Sequence, residues 1–219
     1  MYIDASFDWI QLIAISLAWL FYGGVHSLLA SLRVKRWVAH RLPQWMPAYR
    51  LFFNLIALAL LPLPLGLTYA HRGPWLWQWT GPFWWIANGL ALLALWGFIV
   101  SLRYYDSAEF FGFRQLRAGR RAVEDQESFQ LSPLHRFVRH PWYSLGLVLI
   151  WTRDMDVPLL VSALWVSLYL FLGSRLEEQK LLYYHGEPYR RYRALVPGLL
   201  PRPWRYLRKD QVRNLLASD

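Results

Sequence analysis

The chain contains no cysteine. Its absence rules out disulfides, thiolate zinc sites and cysteine nucleophiles. Acidic residues are also scarce: 14 Asp and Glu stand against 24 Lys and Arg, a formal net charge of +10. An excess of that size raises nucleic acid as a partner, so the charges must be placed before a partner is inferred. No internal repeat is visible, nor any inverted pair of broken apolar segments of the kind that builds secondary transporters. A cleavable signal is not expected either, because the first apolar run is too long and follows Asp4 and Asp8 instead of a basic flank.

What the chain does have is apolar and aromatic mass. It is 56% hydrophobic and 18% aromatic, with 14 Trp, a bias toward lipid and away from a soluble core. Trp9 to Leu29 and Phe83 to Leu102 each have about the 20 residues that a bilayer crossing requires. Leu51 to Tyr69 predicts another crossing, bent at Pro62 and Pro64. Pro141 to Trp151 is too short to span, residues 152–157 interrupt it, and Pro158 opens a long run to Gly173 that continues toward Tyr184. A tilted helical hairpin and a re-entrant half-helix followed by a full span both fit that pattern. The expected fold is all-α: a polytopic integral membrane protein with about five transmembrane helices, the last two as a hairpin. A C-terminal amphipathic segment from Tyr189 to Leu195 follows. Within this single membrane domain, residues 1–105 carry the first three helices. Residues 106–219 carry a long polar loop, the hairpin and the C-terminal segment.

This path also places the charges. Apart from Arg72 and Arg153, the basic residues fall on one side, which the positive-inside rule makes cytoplasmic, with the N-terminus outside. In a bacterium the membrane would be the inner one. The basic balance then answers to topology and anionic membrane lipid, and nucleic acid is not expected as a partner. Trp75, Trp77, Trp79, Trp84 and Trp85 form an aromatic belt on the opposite face.

Chemistry concentrates where the polar loop meets the short apolar run, in Leu134-His-Arg-Phe-Val-Arg-His-Pro-Trp-Tyr-Ser-Leu-Gly146. Pro141 suits the first turn of a helix and drives His140 into an extended conformation. The first turn would then present the N–H groups of Trp142, Tyr143 and Ser144, with Arg139 and His140 beside them, to an anionic group. Glu177 and Glu178 close the last long run, where a helix dipole opposes carboxylates and a cation is needed. A pocket built from both segments would hold donors for an anion and a carboxylate for an ammonium, which suits the amino-acid end of a zwitterion.

The run Arg139-His140-Pro141-x-Tyr143, then Glu177-Glu178-x-x-Leu181, then His185-Gly186-x-x-Tyr189-x-x-Tyr192-x-x-x-Val196-Pro197 resembles the membrane methyltransferase superfamily. That superfamily includes isoprenylcysteine carboxyl methyltransferases and phospholipid methyltransferases. Phe111-Gly112-Phe113-Arg114-Gln115-Leu116 and the early His26-Ser27 are similar to its methanethiol S-methyltransferase and NnrU-like branch.

The resemblance implies S-adenosyl-L-methionine as cofactor, held by Gln115, Glu127, Ser128, Phe129, Gln130, His135, Arg139, His140, Pro141, Trp142, Tyr143, Glu177 and Glu178. His135 stands where the family usually has Tyr. Gly173 stands where prenylcysteine enzymes carry an Arg, which argues against a prenylcysteine carboxylate. Methyl transfer needs a base for a thiol or amine acceptor, for which His140, Glu109, Asp106 and His135 are the candidates. His26 is the candidate for lining an acceptor pocket. The expected activity is methylation of a small or lipophilic acceptor, a thiol first and a lipid amine or prenylcysteine carboxylate second. A non-enzymatic accessory protein on the same scaffold is the reading of another class. No metal is expected, since no pair among His135, His140 and His185 has helix-face spacing.

Overall fold

The computed structural model describes residues 8–70, 72–119, 131–202, 204–208 and 211–212. The apolar runs form helices with identifiable ends. Asp8 caps α1 (Trp9–Ala30) by accepting the amides of Ile10 and Gln11. Ser31 closes α1 and opens α2 (Leu32–Arg41): its hydroxyl donates to Leu28 O at 2.7 Å and accepts Val34 N at 3.3 Å. The basic connection after the first span is therefore a short helix. A 3-10 turn (Pro43–Ala48) leads into α3 (Tyr49–Leu60), and α4 (Pro62–Ala70) continues after a break at Leu61. The break falls there because Pro62 has no amide for the helical ladder and its ring crowds the preceding turn.

Next come β1 (Trp75–Trp77), α5 (Gly81–Leu102), α6 (Ser107–Phe111), α7 (Phe113–Arg117), a 3-10 turn (Pro133–Arg136), α8 (Pro141–Trp151), β2 (Met155–Asp156) and α9 (Val157–Leu195). Among the described residues, four helical stretches are long and apolar enough to cross a membrane: Trp9–Ala30, Pro43–Ala70, Gly81–Leu102 and Val157–Leu195. The protein is thus a mostly helical integral membrane protein. The 11 residues of α8 reach only about 16 Å at 1.5 Å per residue, short of the roughly 30 Å hydrocarbon core. The 39 residues of α9 exceed that core nearly twofold, and its polar half, beyond Gly173, carries Glu177 and Glu178. A non-helical Gly186 (φ 50°, ψ −123°) breaks α9 before Pro188, where the sequence also places a new start.

Two compact units divide the chain. The first comprises Met1–Thr80, Tyr105–Gln126 and Asp154–Val166. Inside it a chain of hydroxyls ties three helices together. Trp19 Nε1 donates to Ser162 Oγ at 2.9 Å, the Ser162 and Thr68 hydroxyls lie 2.6 Å apart, and Thr68 Oγ1 donates to Pro64 O at 2.7 Å. At the head of α9, β2 pairs antiparallel with β1, Trp75 opposite Asp156 and Trp77 opposite Met155. Asp156 is fully buried; it pairs with Arg72 and accepts Leu159 N at 2.8 Å, starting the long helix. This ribbon lies in what sequence alone presents as a linking loop and an interruption.

The second unit comprises Gly81–Tyr104, Glu127–Arg153 and Ser167–Asp219. Helix α5 buries Ala87, Ala91, Ala94, Gly97 and Ser101, a stripe of small residues that lets a neighbouring backbone approach closely. A Cβ at Gly97 would lie 3.0 Å from Leu145 of α8, so α8 uses that space. Trp142 fixes the other end of the contact by donating its indole N–H to Ser101 Oγ at 2.8 Å. Beyond the Gly186 break, Tyr189, Tyr192, Val196 and Leu207 form a small buried core with Leu131, Leu181, Leu182 and Val212 packed against it.

Candidate functional site

The site is built around the start of α8. His140 is its N-cap residue with φ −122° and ψ 73°, and Pro141 occupies the first helical position. The His140 side chain makes no capping hydrogen bond to this end. The amide of Ser144 bonds to His140 O at 3.1 Å, so of the three first-turn amides expected to face a ligand, this one belongs to the helix itself.

Arg139 and Glu178 meet, although they are 39 residues apart. Nε and Nη2 of Arg139 both donate to Glu178 Oε1, at 2.9 and 2.6 Å, and their side chains are only 10% and 4% exposed. The remaining guanidinium nitrogen donates to Arg193 O at 3.0 Å and to Val196 O. The Arg139 amide reaches Pro197 O at 2.9 Å and Gly198 O at 3.1 Å, and the His140 amide reaches Gly198 O at 3.2 Å. A Cβ at Gly198 would sit 3.3 Å from Arg139 Nη2, so a glycine suits this close approach. The sequence suggests Arg139 as a hand extended to an anion, whereas its fork is occupied by the chain's own carboxylate and carbonyls. Arg193, which the motif reading does not single out, places Nε 3.3 Å from Glu178 Oε2.

His140 sits between the two carboxylates. Nδ1 is 3.3 Å from Glu177 Oε2 and Nε2 is 3.3 Å from Glu178 Oε1. Both contacts are satisfied only by a ring that donates from both nitrogens, the imidazolium. Burial of the ring opposes that charge, but the hydrogen bonds and attraction of Glu177 and Glu178 outweigh it and raise the His140 pKa above its ordinary 6.5. Tyr143 stacks on the ring with centroids 5.4 Å apart and 10° between planes, and its hydroxyl bonds to Glu177. The same hydroxyl lies 4.0 Å from where a Cβ on Gly173 would be. Glu177 differs from its neighbour in exposure: its side chain is 47% accessible against 4% for Glu178.

His135 is set by its own turn. Its Nδ1 accepts from Ser132 N at 3.2 Å and lies 2.8 Å from Ser132 Oγ, closing a capping box. Burial, aided by the charge of His140 and opposed by Glu177, lowers its pKa to about 4, so the ring is neutral at physiological pH. Its backbone carbonyl accepts the Tyr192 hydroxyl at 2.8 Å.

The other expected site residues lie in the first unit or outside the description. Asp106 caps α6 by accepting Ala108 N and Glu109 N, and pairs with Arg114. Glu109 lies 3.5 Å from Arg114. Gln115 donates from Nε2 to Glu109 O at 3.2 Å, and among the described residues its buried Oε1 has no hydrogen-bond partner. His26 lies over Phe53 at 4.7 Å and Tyr22 at 6.0 Å, in a narrow apolar crevice with Val25, Leu29 and Ile56. Glu127, Ser128, Phe129 and Gln130 fall outside the described residues. Among the described residues no three His, Asp or Glu side chains form a group that would hold a metal ion.

Comparison with known proteins bears on the family. The chain is 31% identical over 197 residues to "Methanethiol S-methyltransferase 2" of Bradyrhizobium diazoefficiens, covering 86% of this chain and 73% of that protein. It is 31% identical over 194 residues to "Methanethiol S-methyltransferase" of Mycobacterium tuberculosis, 83% of this chain and 74% of that one. The chain belongs to the methanethiol S-methyltransferase family. A shorter and stronger match, 40% over 119 residues, links it to the family member of Pseudomonas deceptionensis, and spans 53% of this chain but only 43% of that protein. No family model matches the chain, and no solved structure does.

Proposed function

We propose that this protein is an S-adenosylmethionine-dependent membrane methyltransferase that methylates a small or lipophilic thiol. The observation that carries the reading is the His140 ring held 3.3 Å from both Glu177 and Glu178, with Glu177 left half open. The names of the relatives favour a thiol acceptor.

The residues present fit the amino-acid end of such a donor. Glu177 offers an accessible carboxylate for an ammonium, and Arg193, with a side chain 42% exposed, offers a guanidinium for a carboxylate. When bound, the donor supplies an electrophilic methyl group on a sulfonium. The chain's own work is electrostatic and positional. Glu178 neutralises Arg139, so this buried pair acts as a frame and keeps the α8 start and α9 in register. His140 and Tyr143 hold Glu177 in one orientation, so that the donor's amino-acid end meets a fixed carboxylate. A thiol acceptor must give up its proton to solvent as its sulfur takes the methyl, and the sulfonium is thereby left as a neutral thioether. The two carboxylates raise the His140 pKa, and the ring they hold serves as a positioning group. Asp106 and Glu109 are both held by Arg114 within their own unit. The N-terminus is assigned outside and the C-terminus to the cytoplasm, on the distribution of basic residues.

The test is methyl transfer from labelled donor to a panel of thiols, prenylated cysteine analogues and phospholipid amines, with calorimetry of S-adenosylhomocysteine on detergent-solubilised protein. Binding that Glu177→Ala abolishes, with turnover of thiols, is the expected result. Absence of binding would leave a scaffold without chemistry.

A further inference from the structure

The segment that follows α9 has two sides with different chemistry. Its inner side grips the site. Carbonyls of Val196, Pro197 and Gly198 hold Arg139, Gly198 O also takes the His140 amide, and Leu199 O accepts the Ser144 hydroxyl. At its far end Leu207 accepts Arg136 Nε at 2.8 Å and donates its amide to Arg136 O at 2.9 Å. The segment is therefore a strap tied to residues 136–144 at both ends.

Its outer side is apolar and basic. Leu200 is 70% exposed, Trp204 is 77% exposed at the tip of the turn closed by the Arg202–Arg205 bridge, and Tyr206 is 45% exposed. Tyr206 stacks on Phe137 at 6.0 Å, and Arg136 lies over the Phe137 ring at 5.7 Å. From Pro188 to Lys209 the sequence carries seven Lys and Arg and no Asp or Glu. Exposed Trp and Leu without acidic residues, among clustered guanidinium groups, match the interfacial zone of an anionic bilayer, where rings and aliphatic side chains enter the headgroup boundary and cations meet phosphate.

We propose that the strap from Val196 to Leu207 docks on an anionic lipid surface and that this docking steadies the Arg139–Glu178 frame. The coupling is mechanical: a strap anchored outside by Leu200 and Trp204 holds its carbonyls still on the inside, so the hydrogen bonds to Arg139 and His140 open less often. The inference rests on the proposed function only in calling the tied segment a donor site.

The amides of Arg139, His140 and Leu207 report on the strap directly, because each donates to or from it. Full-length protein is placed in nanodiscs of phosphatidylcholine alone or with phosphatidylglycerol, and hydrogen exchange of these amides is measured beside S-adenosylhomocysteine affinity. Several-fold greater protection in the anionic discs is expected, lost at high salt and in the Leu200→Ser/Trp204→Ser variant, whose changes touch only exposed side chains. Equal protection in both lipids overturns the proposal, as does equal protection of variant and wild type. Protection raised as much by an added oligonucleotide in neutral discs also overturns it, since the surface would then read polyanions and not a bilayer. Lipid-dependent protection without ligand binding leaves the strap standing and removes the donor; ligand binding without lipid dependence does the reverse.

Discussion

His140 lies 3.3 Å from a carboxylate oxygen on each side, Glu177 at Nδ1 and Glu178 at Nε2. A neutral imidazole has one N–H and would leave one carboxylate facing a lone pair. The geometry therefore stores a proton, and the stability of this unit depends on pH. Since the folded pKa is raised above the ordinary 6.5, the contribution is fully present below that value and is lost as pH rises through the folded pKa. Melting of the purified protein followed from about pH 5.5 to about pH 9 should show a decline on the alkaline side that His140→Gln flattens. A wild-type profile with the opposite slope in that window would refute a paired imidazolium.

The two adjacent glutamates should behave differently. Glu178 is buried against Arg139, and Glu178→Gln strands a guanidinium in a closed site, a loss of about 3–5 kcal/mol. Glu177 is half open, and Glu177→Gln should change stability by no more than about 1 kcal/mol while weakening donor binding. Thermal melts beside calorimetry separate the two, and equal destabilisation by both would remove the distinction.

That distinction is one the sequence does not carry. Two consecutive glutamates on a helix point about 100° apart, and which one is buried depends on what docks against the helix. The strap that decides it does so through backbone carbonyls, which have no residue signature, and for the same reason the occupied fork of Arg139 was not readable. Elements defined by hard local rules were readable: the α8 start at Pro141 and the break at Gly186 appear where proline and glycine chemistry puts them, and α8 stops after Trp151 where residues 152–157 interrupt the apolar run. The β1–β2 ribbon was not, because three residues and two residues far apart in sequence hold no periodicity of their own.

Arg139→Lys is predicted to be damaging despite keeping the charge. An ammonium has one nitrogen, whereas the guanidinium uses three to reach Glu178, Arg193 O and Val196 O. The variant should lose about 2 kcal/mol or more, in the range of broken charged hydrogen bonds, and fast exchange of the His140 amide should accompany the lower melting temperature. A variant as stable as wild type would show that the strap holds without the fork.

Gly112 makes a comparable demand in the other unit. It has φ 92°, and a Cβ there would approach Leu51 N at 2.8 Å. Beside it, Phe110 O receives Arg50 Nε at 3.1 Å and Asn54 Nδ2 at 3.0 Å, so the turn cannot easily back away from α3. Gly112→Ala combines left-handed strain with a backbone clash and should cost about 1–3 kcal/mol, read as a lower melting temperature. Gly119→Ala, also at positive φ (60°) but with nothing within 4 Å, is the control and should cost less.

Gly173 stands one helical turn before Glu177 and tests the role of Tyr143. A Cβ at this position would sit 4.0 Å from the Tyr143 hydroxyl, an ordinary contact, so Gly173→Ala should be tolerated and even gain from helix propensity by up to about 1 kcal/mol. A larger side chain extends from that contact toward the Tyr143 hydroxyl. Gly173→Leu should push Tyr143 off Glu177, free the carboxylate to rotate, and raise the KM for the methyl donor several-fold while the melting temperature changes little. Tyr143→Phe should reproduce that KM effect, because it removes the same hydrogen bond without added bulk. If Gly173→Leu impairs the enzyme and Tyr143→Phe does not, the damage comes from crowding along α9, and the orientation of Glu177 by Tyr143 is not what the site requires.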